Sequence, residues 1–125
     1  MRNLYFRGLT FCHTEFPLPP QGYNGIQACF HSSVSRRPWQ RMPAAVEFKW
    51  AVGCSFKGNR IVHVGGSGLD FEMGCRNNQI VGNEIADVAG NGVLLGEARG
   101  KPDNPSEVSR DNLVANNYIH HCGVD

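Results

Sequence analysis

The residues best suited to chemistry lie in a few short acidic stretches. Glu47 and Lys49 flank Phe48, and Asp70 and Glu72 flank Phe71. Glu97 follows the apolar run Val93-Leu94-Leu95, and Asp125 follows Gly123-Val124. Paired carboxylates are what glycosidic-bond hydrolysis needs. One donates a proton to the leaving oxygen, and the other activates water or attacks the sugar. Two acids held close together also split their pKa values, which supplies one acid and one base. A second set is His63, Asp87 and His121. Such a set can orient a general base or hold a metal, or it can be a plain turn ladder in which Asp87 accepts from both imidazoles. Trp39 and Trp50, with Tyr23, offer flat rings for the apolar faces of sugars. Arg36 and Arg37, beside Trp39, can pair with an acidic sugar or a carboxylate.

An internal repeat says how these residues are positioned. Asn59-Arg60-Ile61-Val62-His63-Val64, Asn83-Glu84-Ile85-Ala86-Asp87-Val88 and Asn117-Tyr118-Ile119-His120-His121-Cys122 share one pattern. The first offset is 24 residues and the second is 34, the extra ten matching a polar insertion near 96–111. Phe56, Ile80 and Val114 fall in register upstream of the three asparagines. Val46/Phe48, Leu69/Phe71 and Val93/Leu95 form a third apolar column. Each repeat holds about three short strands separated by Gly/Asn turns. The spacing predicts an all-β chain, a right-handed single-stranded parallel β-helix of about four rungs with Asn59, Asn83 and Asn117 as a ladder. A β-propeller is the lesser alternative, because its blades repeat at about 40–50 residues.

That register predicts one functional face. Glu47 and Asp70 fall on adjacent rungs, about 4.8 Å apart at their α-carbons. Glu72 lies about 7 Å further along the strand and pairs with Lys49. Glu97 and Asp125 are expected at the margins of the same face. Stacked Glu47/Asp70 suits a retaining separation and diagonal pairs suit an inverting one. The plain alternative is a solvated charged row paired with Lys49. His63, Asp87 and His121 form a separate column, and His13, His31 and His120 are weaker loop or turn candidates.

Residues 1–44 fit less regularly and are expected to be a first rung with two long excursions. Leu9-Thr10-Phe11 aligns with Cys54-Ser55-Phe56. Residues 16–25 are turn-rich, and 35–43 form a basic, aromatic loop. Residues 45–125 supply three regular rungs of the same domain.

Phe6-Arg7-Gly8-Leu9-Thr10-Phe11, His13, Pro43-Ala44-Ala45-Val46-Glu47-Phe48, His63, Gly65-Gly66-Ser67-Gly68-Leu69, Gly82-Asn83, Ile85 and Asn116-Asn117 carry a family likeness. The chain resembles right-handed parallel β-helix repeat proteins of bacterial polysaccharide breakdown, most of all glycoside hydrolase family 141-like proteins. The resemblance implies a secreted carbohydrate-active parent, extracellular or periplasmic, with fucosidase- or xylanase-like activity on a polysaccharide or oligosaccharide. It implies a piece of a larger solenoid, incomplete at both ends, partnered by the remaining rungs and inactive in isolation. No cofactor is expected for a hydrolase. A polysaccharide lyase holding Ca2+ on Asp70 and Glu72 is the runner-up, and a non-catalytic binding or structural module is the third reading.

Composition narrows the field further. Charged residues are only 18%, and the formal net charge is +1, so binding nucleic acid by bulk charge is not expected. No apolar run is long enough to span a membrane as a helix, and the N-terminal residues carry no signal-peptide pattern. Fifteen glycines and 11 asparagines disfavour long helices and suit frequent turns. Of the five cysteines, no pair has C-x-x-C spacing, so they read as small buried residues, with a disulfide open to a secreted protein.

Overall fold

The computed structural model describes residues 1–17, 30–31, 40–96 and 102–123. It is all-β, with three parallel sheets built from short strands. β1 (Tyr5–Arg7), β6 (Ser55–Lys57), β9 (Gln79–Val81) and β12 (Leu113–Ala115) form one sheet. β2 (Thr10–Cys12), β7 (Arg60–Val64), β10 (Glu84–Val88) and β13 (Tyr118–Cys122) form the second. β5 (Ala44–Phe48), β8 (Ser67–Phe71) and β11 (Val93–Leu95) form the third. From β5 onward the chain visits the three sheets in the same cyclic order. A short antiparallel pair, β3 (Phe30–His31) with β4 (Gln40–Arg41), precedes β5. Among the described residues no helix is long and apolar enough to cross a membrane.

The predicted columns are present. Phe56 pairs with Ile80, and Ile80 with Val114. Ile61 pairs with Ile85, and Ile85 with Ile119. Phe48 pairs with Phe71, and Phe71 with Leu95. Alternation along each strand turns these side chains inward. Phe48, Phe56, Ile61, Leu69, Phe71, Ile80 and Ile85 are fully or almost fully buried in one core. The Phe48 and Phe71 rings stack with centroids 4.4 Å apart. Leu95, Val114 and Ile119 are in register yet exposed, because no further strand covers theirs among the described residues.

The asparagine ladder is also present. Asn83 Oδ1 accepts from the Asn59 backbone N–H at 2.9 Å, and Asn83 Nδ2 donates to Phe56 O at 2.9 Å. Asn117 repeats both bonds one strand further on, to Asn83 N–H and Ile80 O. A second ladder, Asn78 and Asn112, runs beside it.

Two expectations are corrected here. Leu9-Thr10-Phe11 does not align with Cys54-Ser55-Phe56. Phe6 pairs with Phe56, and Phe11 with Ile61. The turn sets this register: Gly8, Gly58, Gly82 and Asn116 all have positive φ at one position, which Gly and Asn tolerate best. Leu9 therefore occupies the ladder position of Asn59. The cysteines are not uniformly buried either. Cys54 and Cys75 are buried, but Cys12 and Cys122 are exposed, and all four are free thiols.

Candidate functional site

The outer side of the β5–β8–β11 sheet gathers the acidic residues. Leu69 and Phe71 point into the core, so Asp70 between them points out. Glu47 is directly opposite Asp70 in the parallel register, and Leu94 is opposite it on the other side. Glu72 follows Phe71 and meets Lys49, with Nζ 3.0 Å from Oε1. Glu47 Oε1 accepts from the Ala44 N–H at 3.1 Å. The structure thus brings Glu47, Lys49, Asp70 and Glu72 together. Glu97, Asp125, Trp39 and Arg37 lie outside the described residues.

The row is not solvated throughout. Asp70 is fully buried, Glu72 is buried, and Glu47 is exposed. Arg41 covers Asp70 and binds both carboxylate oxygens, Nε to Oδ2 and Nη2 to Oδ1, the latter at 2.6 Å. Arg41 Nη1 also donates to Gly96 O at 2.8 Å, just past β11. Its own segment is anchored. Met42 is buried, and Pro43 O accepts from Ser67 N–H at 2.9 Å. One guanidinium therefore ties the entry to β5, the middle of β8 and the end of β11. Burial pushes the Asp70 carboxyl up to about 6. The Arg41 hydrogen bond and charge pull against that rise, and the charges of Glu72 and Glu47 add to it. Lys49 is held above its ordinary value, chiefly by its hydrogen bond to Glu72.

Sequence reasoning missed Arg41. It belongs to the excursion before β5, outside the repeat, so no register pointed to its partner. The available signal was a strand, β8, whose acid is flanked by core residues and needs a counter-charge.

Trp50 lies just past β5 and is 41% exposed. Its backbone φ is +55°, and its N–H donates to Met73 O at 3.0 Å. Its indole covers Gly74, where φ is +69° and a Cβ would collide with the six-membered ring. Gly74→Ala therefore both strains the backbone and displaces the indole. It is expected to cost about 1–2 kcal/mol, read as a lower urea midpoint at unchanged m-value.

The histidine column is partly as expected. His63 Nδ1 and Asp87 Oδ2 meet in an exposed side-chain hydrogen bond. His121 instead turns to its neighbour, with its Nδ1 against His120 Nδ1. The column gains His13, whose ring stacks on His63 at 5.8 Å. His13, His63, Asp87 and His121 all have positive φ, which marks a shared corner between sheets. Among the described residues no group of three or more His, Cys, Asp or Glu is placed to hold a metal ion.

No protein-family model matches the chain, and comparison with curated proteins and with solved structures finds no match.

Proposed function

We propose that the chain is a stretch of right-handed, single-stranded parallel β-helix of a carbohydrate-active protein, which engages a polysaccharide along this acidic sheet and hydrolyses it through paired carboxylates. The cyclic order of three parallel sheets supports the β-helix reading, and the right-handed sense follows the strong rule for parallel crossovers. The observation that carries the function is the placement of Glu47, Asp70 and Glu72 on one face of neighbouring strands. Two carboxyl groups flanking one bond are the recurrent device of glycoside hydrolysis.

Arg41 divides the labour among the three. With both oxygens engaged, Asp70 sets the local field and positions its neighbours. Proton transfer then falls to Glu47 and Glu72, which are diagonal across β5 and β8. Diagonal neighbours on one sheet face are about 7–8 Å apart. A diagonal pair holds its carboxyl groups further apart than a stacked pair does, which suits an intervening water and inversion. Lys49, held by Glu72, and the exposed indole of Trp50 extend the same edge as sugar contacts. The likeness to family 141-type glycoside hydrolases points to fucosylated or xylan-type substrates met outside the cytoplasm.

The test is hydrolysis of xylan, fucosylated pectin and polygalacturonate, followed as reducing ends. Glu47→Gln and Glu72→Gln are each expected to lower kcat about a hundredfold, with the folded structure kept. Unsaturated uronates absorbing in the ultraviolet contradict hydrolysis and favour the calcium-dependent lyase. Full activity in both variants contradicts the choice of residues.

A further inference from the structure

Charge is distributed unevenly over the outer faces of the three sheets. Beside β5, β8 and β11, Lys49 meets Glu72 and Arg41 meets Asp70. Across β7 and β10, Arg60 pairs with its register partner Glu84 at 2.6 Å. The sheet of β1, β6, β9 and β12 sets like charges together instead. Phe6 and Phe56 pack on the core, so Tyr5, Arg7 and Lys57 beside them point outward. Arg7 and Lys57 are register partners on adjacent strands. Where the chain enters the same sheet, a parallel bridge joins Arg76 to Arg110. Among the described residues no carboxylate lies within ion-pair distance of Arg7, Lys57 or Arg76, and Arg110 has only Asp111, at 3.9 Å. Arg76 Nη2 donates to Ser106 O at 3.2 Å, and its Nε is buried with no partner among the described residues.

Like charges directly opposite each other on neighbouring strands destabilise a sheet. Arg7 and Arg110 are exposed, so little packing offsets that cost. An anion laid against the face removes it. The two cation pairs occupy opposite corners of the face, Arg7 and Lys57 at the ends of β1 and β6, Arg76 and Arg110 ahead of β9 and β12. The row between them holds Tyr5, which is 77% exposed, and the exposed Gln79. A small anion reaches one corner, whereas an extended one reaches both.

We infer that this face binds an anionic polysaccharide, a polymer with carboxylate or sulfate groups on its sugars. The polymer lies obliquely across the strands, from the Arg7–Lys57 pair to the Arg76–Arg110 pair. Arginine takes the oxygens of such groups two at a time. The ring of Tyr5 offers the flat surface on which a sugar face stacks. These four cations, in a chain of formal net charge +1, suit a polymer of modest charge density rather than the dense phosphate backbone of nucleic acid. The face is separate from the acidic sheet, and binding to it is measured without catalysis.

Calorimetric titration of the full chain with polygalacturonate and with dextran sulfate is the direct probe. At least one is expected to bind, more weakly as salt rises, and which one binds distinguishes carboxylate from sulfate. The triple variant Arg7→Gln/Lys57→Gln/Arg110→Gln is expected to bind at least about tenfold more weakly. It should be no less stable in urea, because it relieves two like-charge contacts. Glu47→Gln/Glu72→Gln should bind no more weakly than the unmodified chain. Binding of neither acidic polymer, undiminished binding by the triple variant, or equally tight binding of neutral dextran or single-stranded DNA would overturn the inference. Binding without hydrolysis supports this face and contradicts the catalytic role of the acidic one, so the two fail separately.

Discussion

Arg41→Met is expected to destabilise the fold by about 3–5 kcal/mol at pH 8, the cost of leaving a buried carboxylate without its counter-charge. The penalty should depend steeply on pH. In the unmodified protein the folded-state pKa of Asp70 is about 6, against about 3.9 for an unfolded Asp. Between those values the folded state binds more protons than the unfolded one. The stability contributed by neutral Asp70 is therefore full below about pH 4 and lost as pH rises through about 6, a swing of about 3 kcal/mol. Removing Arg41 takes away the group that pulls this pKa down, so the folded value rises further. Glu47 and Glu72 push the same way. At pH 4 both proteins hold Asp70 neutral, and the difference between them should shrink to about 1 kcal/mol, the residue of lost packing and of the bond to Gly96. Urea melts at pH 4, 6 and 8 measure it. A penalty equal at all three values contradicts the role given to the ion pair. Arg41→Met combined with Asp70→Leu should recover most of the loss, because an apolar pair of similar volume needs no desolvation.

The second large effect is expected at the ladder. Asn83 is buried, and its amide is used on both sides. Its Oδ1 accepts from Asn59 N–H at 2.9 Å and Asn59 Nδ2 at 3.3 Å. Its Nδ2 donates to Phe56 O and to Asn117 Oδ1, both at 2.9 Å. Leucine fits the space but satisfies none of these groups. Two backbone groups inside the fold, Asn59 N–H and Phe56 C=O, then lose their partner, for a cost of about 3–5 kcal/mol. Asn83→Asp should be no milder, since it keeps an acceptor but turns a second oxygen toward Phe56 O and Asn117 Oδ1. Asn117→Leu should cost less, about 1–2 kcal/mol, because its position is only half-buried. Chemical denaturation that ranks Asn117→Leu at or above Asn83→Leu would contradict the ladder's part in stability. Leu9 shows why position matters. It occupies the same column naturally, at a position where, among the described residues, no further strand needs an oxygen from it.

These two residues mark the boundary of what the sequence could reveal. Asn83 was legible because translation along parallel strands repeats both conformation and contact. The 24- and 34-residue offsets alone place Asn59, Asn83 and Asn117 in one column. The same logic set Glu47 opposite Asp70 and Lys49 against Glu72. It failed wherever a residue type departed from the column. Leu9 lacks the amide, so the first register was misaligned with Cys54-Ser55-Phe56. The second ladder, Asn78 and Asn112, was hidden because Leu4 and Cys54 occupy its earlier positions. Arg41 lay beyond reach altogether. Its contact with Asp70 crosses 29 positions from a non-repeating excursion, and no periodicity relates the two. Arg41 binds both oxygens of Asp70, so an acid expected on an open face is found buried and paired.

The Arg41 clamp also shapes the chemistry. By occupying Asp70 it leaves the diagonal Glu47 and Glu72 as the working pair, and that geometry has a stereochemical consequence. Proton NMR of the first sugar released from a susceptible polysaccharide, recorded before mutarotation, tests the central claim most directly. The expected product has an anomeric configuration opposite to that of the bond cleaved. A product of retained configuration would contradict it, because the nucleophile would then be a carboxylate stacked directly across from its acid.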